Sequence, residues 1–408
     1  MRLPPPPDGM LKITASILGV LLGVSILIMW VPGLYVNPTF FQAGLFLMAA
    51  VWGIRMGYRP YAVAGSFLLL PLTVAACWGL LQLAMHTTVS RWETAQAVRI
   101  WAGNLTAFFF ALQVCQSTSL RRRLLDGLAI FAFAISVVSI LQYFSKPDLI
   151  LWFYYDGFGN SFGPFASRDR YAAFAELVIP LALLWALKQE TGRKTLFYTG
   201  IAATIFAAAI AGASRAGGIL CVAEVIVFLV AGRNQRSLDQ GRLRITAGKF
   251  ALFASIFTVV VGYSALLQRF HDPDPYAGRR EMLRASVTMV QERPWFGFGL
   301  GNFENAYPKY AVLDVNKIVN HAHNDWAEWA AEGGVPFFVI VLSVAVWAVP
   351  RALRSLWGIG IVTVFVHSLV DFPLQAPALE FWVFAFLGAL AAESGSISPA
   401  TSGHRSIC

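Results

Sequence analysis

LKITASILGVLLGVSILIMWV, from Leu11 to Val31, carries a single charge, Lys12, in 21 residues. An α-helix rises 1.5 Å per residue, so crossing a hydrocarbon core of about 30 Å takes roughly 20 of them. The run is long enough to span, and no small-x-small cleavage site closes it. It therefore reads as a first membrane span rather than a cleaved signal, preceded by the proline-rich stretch Met1 to Gly9.

The same pattern repeats along the chain. Of 408 residues, 57% are hydrophobic and 13% charged, where a soluble domain carries roughly 25% charged. So few charges cannot cover a water-facing surface, and the mean hydropathy is +0.61. Twelve apolar segments follow one another at 11–31, 38–54, 61–84, 96–116, 124–143, 171–187, 195–213, 216–231, 250–267, 335–349, 356–370 and 376–392. In lipid each backbone N–H and C=O must be paired within its own segment, so these runs are expected to be helices. The fold class implied is an all-α integral membrane protein of about 12 transmembrane helices. Its organisation is nine spans over 1–267, a large polar loop over 268–334, and three spans with a short tail over 335–408.

The formal net charge of +9 does not call for a nucleic acid partner. Basic residues gather in alternate short loops, such as Arg55/Arg59, Arg121 to Arg123, Lys188/Arg193/Lys194, Arg233 to Lys249 and Arg351/Arg354, together with Arg2, Lys12 and Arg405. The intervening short loops hold only Arg91, Lys146, Arg168, Arg170 and Arg215. The positive-inside rule then puts both termini in the cytoplasm. Cys77, Cys115, Cys221 and Cys408 show no Cys-x-x-Cys or Cys/His ligand spacing, so neither a disulfide nor a zinc site is expected.

The loop Gln268 to Gly334 breaks the economy of charge. It is dense in both signs, Asp272, Asp274, Asp314 and Lys317 among them, and falls on the non-cytoplasmic side. Loops of that length usually hold helices or a function. Within it, Arg279 to Gln291 reads as an amphipathic helix with Leu283, Val287 and Val290 on its apolar face, lying on the membrane or capping the bundle. PWFGFGLGNF (Pro294 to Phe303) reads as a Gly/aromatic turn at the interface. A second helix is expected over Asn324 to Glu332, capped by Asn324 or Asp325, with Trp326, Trp329 and Ala330 apolar, Gly333-Gly334 ending it, and Glu328 in capping-box spacing from Asp325.

Candidate chemistry concentrates in NHAHNDWAEWAAEGG, Asn320 to Gly334. His321 and His323 stand beside a helix start, whose free N–H groups disfavour a protonated imidazole. A neutral imidazole there can accept a proton from a hydroxyl; a solvated loop histidine is the plain alternative. His-x-His with Asp325 could also hold a metal, but no further ligands accompany them. Arg215, in GASRAGG between two apolar runs, either snorkels to the interface or binds phosphate in an outer cavity that the flanking small residues leave open. Arg279 and Arg280 open the loop helix, while Arg168 and Arg170 stand in FASRDRY. Several guanidiniums on one face suit a pyrophosphate, since each can bond its oxygens bidentately. Glu176 and Glu224 lie inside spans, where an acid is a functional candidate by default. His367 and Asp371, at i and i+4 near the outer end of a late span, could pair structurally.

These residues, taken together, resemble the O-antigen ligase and polymerase superfamily of bacterial envelope proteins. The resemblance covers roughly residues 160–390. AHNDWAEWAAEGGVPFF is similar to the family's His-Asn motif, GRREMLRASVTMVQERPWFGFGLGNF to its upstream Arg and Pro-x-x-Gly-x-Gly stretch, GASRAGG to its Ser-Arg span boundary, and HSLVDFPLQAPALEFW to a late span. Leu283 stands where relatives often carry Trp, and FGPFASRDRYAAF matches its counterpart loosely. The resemblance implies a metal-independent glycosyltransferase of the C-type membrane class, without a cofactor, in the bacterial inner membrane with its large loop periplasmic. The donor would be a polyprenyl-diphosphate-linked glycan, and the acceptor a lipid-borne core or another glycan chain. His323 would activate the acceptor hydroxyl, with His321 a second candidate. Arg215 and Arg279 would bind the leaving diphosphate, with Arg280 and Arg170 as further candidates. The loop is then expected to close over a cavity floored by the spans near Arg215, with the His323 helix start facing Arg279. A transporter or flippase would instead place its polar residues at mid-membrane in repeated, broken helices, and a non-catalytic envelope subunit would tolerate alanine at His323, Arg215 and Arg279.

Overall fold

The computed structural model describes residues 3–31, 36–155, 161–190, 192–271, 277–312 and 318–395. Asp272, Asp274, Asp314, Lys317, Arg405 and Cys408 lie outside them. The first nine helices are α1 (Asp8–Leu27), α2 (Val36–Tyr58), α3 (Leu69–Ala84), α4 (Arg91–Cys115), α5 (Thr118–Ser145), α6 (Arg168–Lys188), α7 (Gly192–Ala211), α8 (Arg215–Asn234) and α9 (Gln240–Val261). The polar region contributes the short α10 (Ser264–Phe270), α11 (Ala277–Glu292) and the single turn α12 (Phe303–Ala306). The chain then returns through α13 (Asp325–Ser355), α14 (Ile359–His367) and α15 (Pro377–Gly395). A two-residue antiparallel pairing, Leu149–Ile150 with Tyr154–Tyr155, follows α5.

Each of the twelve apolar segments contains a helix. Ten helices among the described residues are long and apolar enough to cross a membrane; α3 has 16 residues and α14 has nine. The structure therefore supports about ten spans by length where twelve were expected. The shortfall falls at two places. Residues 61–67, expected within the third span, are not helical, and Gln113 brackets Ala64 with hydrogen bonds to its N–H and C=O. The segment 356–370 is cut down by the turn at Leu356, which has a positive φ of 66°, and by a second turn after His367. The segment 335–349, short by sequence, is the second part of the 31-residue α13.

Polar caps start several of these helices where apolar runs alone would leave orphan N–H groups. Ser90, Ser167 and Ser214 each accept a backbone N–H in the first turn of α4, α6 and α8. The core lies around α6 and α15, which are buried nearly all round, as helices apolar on every face must be. Close backbone approach holds α15 against α4, because a Cβ at Gly388 would collide with the Phe108 carbonyl.

The polar region is clamped onto this bundle rather than loosely overlying it. Gln82 of α3 receives the Leu300 N–H at 3.0 Å and donates to the Phe296 and Glu332 carbonyls. Asn302 receives the Ser90 N–H at 2.7 Å and donates to Thr94 at 2.9 Å. The expected amphipathic helix is present as α11, but its packed face is a different one. Met282, Ala285 and Met289 join a small core with Phe298, Phe303 and Tyr307, while Leu283 and Val287 are exposed. The helix has two apolar stripes, and the loop's own aromatics claim the one holding Met289. The other, with Leu283 and Val287, borders an open apolar groove beside Trp326 and Phe338, and Val290 touches both this groove and the small core.

Candidate functional site

The start of α13 is the anchor of the site. Asn324 caps it, its side chain accepting the Ala327 N–H at 3.0 Å and donating to the Leu369 carbonyl at 2.8 Å. The Asp325 N–H donates to the Ser368 carbonyl at 2.9 Å, and the Asp325 carboxylate accepts the Leu374 N–H at 3.0 Å. These bonds pin the His-Asn segment to the connection between α14 and α15, which carries Asp371 and Phe372. The capping box expected between Asp325 and Glu328 does not form. Glu328 instead accepts the Ala322 N–H at 2.7 Å and contacts His321 Nδ1 at 2.8 Å. At the other end Gly334, with a φ of 76°, breaks the helix as the sequence predicted, and the Val335 N–H turns aside to the Pro294 carbonyl.

Around this anchor four of the six candidate residues converge. His323, held at a left-handed φ of 51°, places Nδ1 3.0 Å from Asp371 Oδ1. Arg279 lies 3.9 Å from the same oxygen and 3.9 Å from Asp169 in the first turn of α6. Phe372 gathers the rest: His321 stacks on it at 4.6 Å, His323 meets it edge-on at 4.6 Å, and the Arg170 guanidinium lies 5.3 Å over its ring. Cations over an aromatic face are attracted by the ring quadrupole. His323 thus does face Arg279, with Asp371 between them. The expected pairing of His367 with Asp371 is replaced, because His367 Nδ1 reaches Glu176 at 2.9 Å inside the bundle.

The remaining two are placed differently. Arg280 is exposed on α11. Arg215, the first residue of α8, donates to the Arg269 carbonyl at 2.9 Å, and Arg269 donates in return to the Ala213 carbonyl at 3.2 Å. That links the start of α8 to α10.

Electrostatics separate the two histidines. Burial, then the neighbouring Arg170 charge, pushes His321 down to about 4, so it stays neutral near pH 7 and holds a proton poorly. Burial by itself would raise the Asp371 carboxyl, but its hydrogen bond to His323 and the charges of His367 and Arg279 outweigh that and hold it below the ordinary range. Asp371 is therefore ionised, and it can fix the tautomer of His323 with Nδ1–H donating and Nε2 left to accept a proton.

A cavity of about 190 Å³ opens beside His321. Its roof is the turn at Leu300 to Glu304 and the first turns of α13; its floor comes from α2, α4 and α15. The expected floor near Arg215 is not part of it. Glu332 of α13 accepts the Gly301 N–H at 2.9 Å and the Phe303 N–H at 2.8 Å and so holds the Gly-rich turn against α13. Gly297 makes that contact possible: its φ is 61°, and a Cβ there would strike the Glu332 backbone. Sequence reading missed Asp371, Phe372 and Asp169 as site residues. Their one signal was position, since each lies within two residues of a span end on the same expected face as the loop.

An all-α, multi-pass membrane protein with a histidine–carboxylate pair, an arginine cluster and a helical polar loop at one end of its bundle is the class these features define. Residues 200–342 match the family described as O-antigen ligase. The match takes in Arg215, Arg279, Arg280, His321 and His323, and leaves Arg170 and Asp371 outside. Over that stretch, about a third of the chain, the sequence is similar to O-antigen ligases, which supports the O-antigen ligase/polymerase superfamily. No curated protein matches the chain in sequence.

Proposed function

We propose that the protein transfers a polyprenyl-diphosphate-linked glycan to an acceptor hydroxyl on a lipid-borne core or another glycan chain. The observation that carries this reading is the Asp371 carboxylate, which sits 3.0 Å from His323 and 3.9 Å from Arg279 and so keeps a base and a cation side by side. His323 Nε2 takes the proton of the acceptor hydroxyl as that oxygen attacks the anomeric carbon. The bond from the anomeric carbon to the diphosphate oxygen breaks, and the diphosphate leaves with the electron pair. Arg279 neutralises the charge that grows on it, with Arg170 close by over Phe372. Fixed cations at a departing oxyanion are often the largest single catalytic contribution. Arg215 and Arg280 serve as outer contacts for the same diphosphate. His321, held neutral, orients the acceptor rather than taking its proton. The arginines take the part a metal would play, so transfer continues in the presence of a chelator.

The alternation of basic loops supports a bacterial inner-membrane protein with both termini cytoplasmic and residues 268–334 in the periplasm. Purified protein given one polyprenyl-diphosphate glycan and two alternative acceptors, lipid-borne core and free glycan chain, tests the proposal and separates ligase from polymerase. His323→Ala should insert normally and lose transfer to both. Full activity in that variant would overturn the assignment of the base.

A further inference from the structure

The cavity beside His321 is built for something other than a diphosphate. Glu93, Glu304, Glu328, Glu332 and Glu380 stand in its walls, and none of the site's arginines does. An anion entering there would meet five acidic side chains and no guanidinium. Two tryptophans, Trp101 and Trp329, are buried in its lining and packed edge to face at 6.2 Å. The decisive feature is a pair of amides. Gln42 of α2 and Gln96 of α4 are 4% and 9% exposed, both line the cavity, and neither side chain bonds any described residue. Gln375, also in the wall, has its Nε2 buried without a partner among the described residues. Buried amides are nearly always hydrogen-bonded, because an unmade bond forfeits the hydration the group had in water. Unpaired donors and acceptors lining a cavity beside aromatic side chains match one ligand chemistry: a ring with many neutral hydroxyls and an apolar C–H face.

We infer that this cavity binds a single uncharged sugar unit, with Gln42 and Gln96 bonding its hydroxyls and Trp101 and Trp329 packing on its ring. The site deepens the transfer reaction proposed above by dividing its labour. Arginines around Phe372 take the diphosphate, and the acidic cavity takes sugar, with His321 on its rim. The sugar comes either from the acceptor terminus or from the donor glycan, and the binding chemistry is common to both.

The test reads binding alone, so it stands apart from whether His323 is the base. Full-length protein in detergent is titrated with methyl glucoside, methyl galactoside and methyl N-acetylglucosaminide, followed by tryptophan fluorescence. At least one should give a saturable change at concentrations up to about 50 mM. The double variant Gln42→Leu/Gln96→Leu, which keeps the side-chain volume, should weaken it by about tenfold or more without lowering the melting temperature, because neither amide has an internal partner to lose. Trp329→Phe, a milder change, should also weaken it. Pyrophosphate should not displace the sugar, and Arg279→Ala should leave its affinity unchanged. Preloading with the polyprenyl-diphosphate glycan identifies the source: undisturbed glycoside binding marks an acceptor site, and competition marks a donor-sugar site. No saturable binding of any glycoside, equal binding by the double variant, or displacement by pyrophosphate would overturn the inference.

Discussion

Replacing Asp371 with Asn alters one charge and almost no volume. The carboxylate is 3.0 Å from His323 Nδ1, and in the proposed reaction that imidazole becomes an imidazolium in the transition state. At an effective dielectric constant of about 20, two unit charges so placed attract by about 5 kcal/mol. His323 keeps a third of its side-chain surface open, so solvent screening cuts that to roughly 2–3 kcal/mol. Each 1.4 kcal/mol is a factor of ten, and Asp371→Asn should therefore lower kcat roughly 30- to 150-fold. The amide oxygen can still accept from Nδ1–H, so the ring keeps its orientation and the loss is electrostatic. Arg279 simultaneously loses one of its two acidic neighbours, leaving more of its charge for the diphosphate, so KM for the lipid-linked donor should not rise. Single-turnover transfer with purified variants separates the two effects. If Asp371→Asn turns over within twofold of the parent protein while inserted and folded, Asp371 does not support the base and the reasoning fails.

Three further outcomes follow from the packing and electrostatics. His321 is pushed down from 6.5 to about 4 by burial and then by Arg170. Between those values the unfolded chain binds the proton and the folded one does not, so stability is complete above about pH 6.5 and falls as pH drops toward 4, by at most about 3 kcal/mol. Thermal melts across that range should show the slope, and His321→Asn should flatten it. Glu332→Gln loses one of two acceptors facing the Gly301 and Phe303 N–H groups and turns an NH2 toward the other. It should cost about 1–3 kcal/mol, visible as a lower melting temperature; an unchanged melt would show that Glu332 does not hold the turn. Glu176→Ala should destabilise by about 3–5 kcal/mol by stranding His367 in the bundle, and replacing both with apolar residues of similar volume should recover most of it. Failure of that recovery would mean the pair does more than satisfy itself.

How far the sequence could be read depended on how local each determinant was. The helices were legible because lipid imposes one local rule, pairing within the segment, and runs such as Leu11 to Val31 obey it. The breaks at 61–67 and 356–358 were not. Gln113 holds the first from another helix, and the second turns on a left-handed Leu356 that no glycine marks. In the loop, α11 was visible by its period, but the choice between its two apolar stripes belonged to Phe298 and Phe303, which bonds to Ala331 and Glu332 hold in place. The site followed the same division. His321, His323 and Arg279 stood out as polar residues on one expected face. Asp371, the partner that His323 and Arg279 share, lies 48 residues from His323, and spacing alone favours His367, four residues before it. Glu176, reaching across from α6, removes His367 from that competition, leaving Asp371 for His323 and Arg279. The buried intramembrane pair thus helps decide the wiring of the outer site.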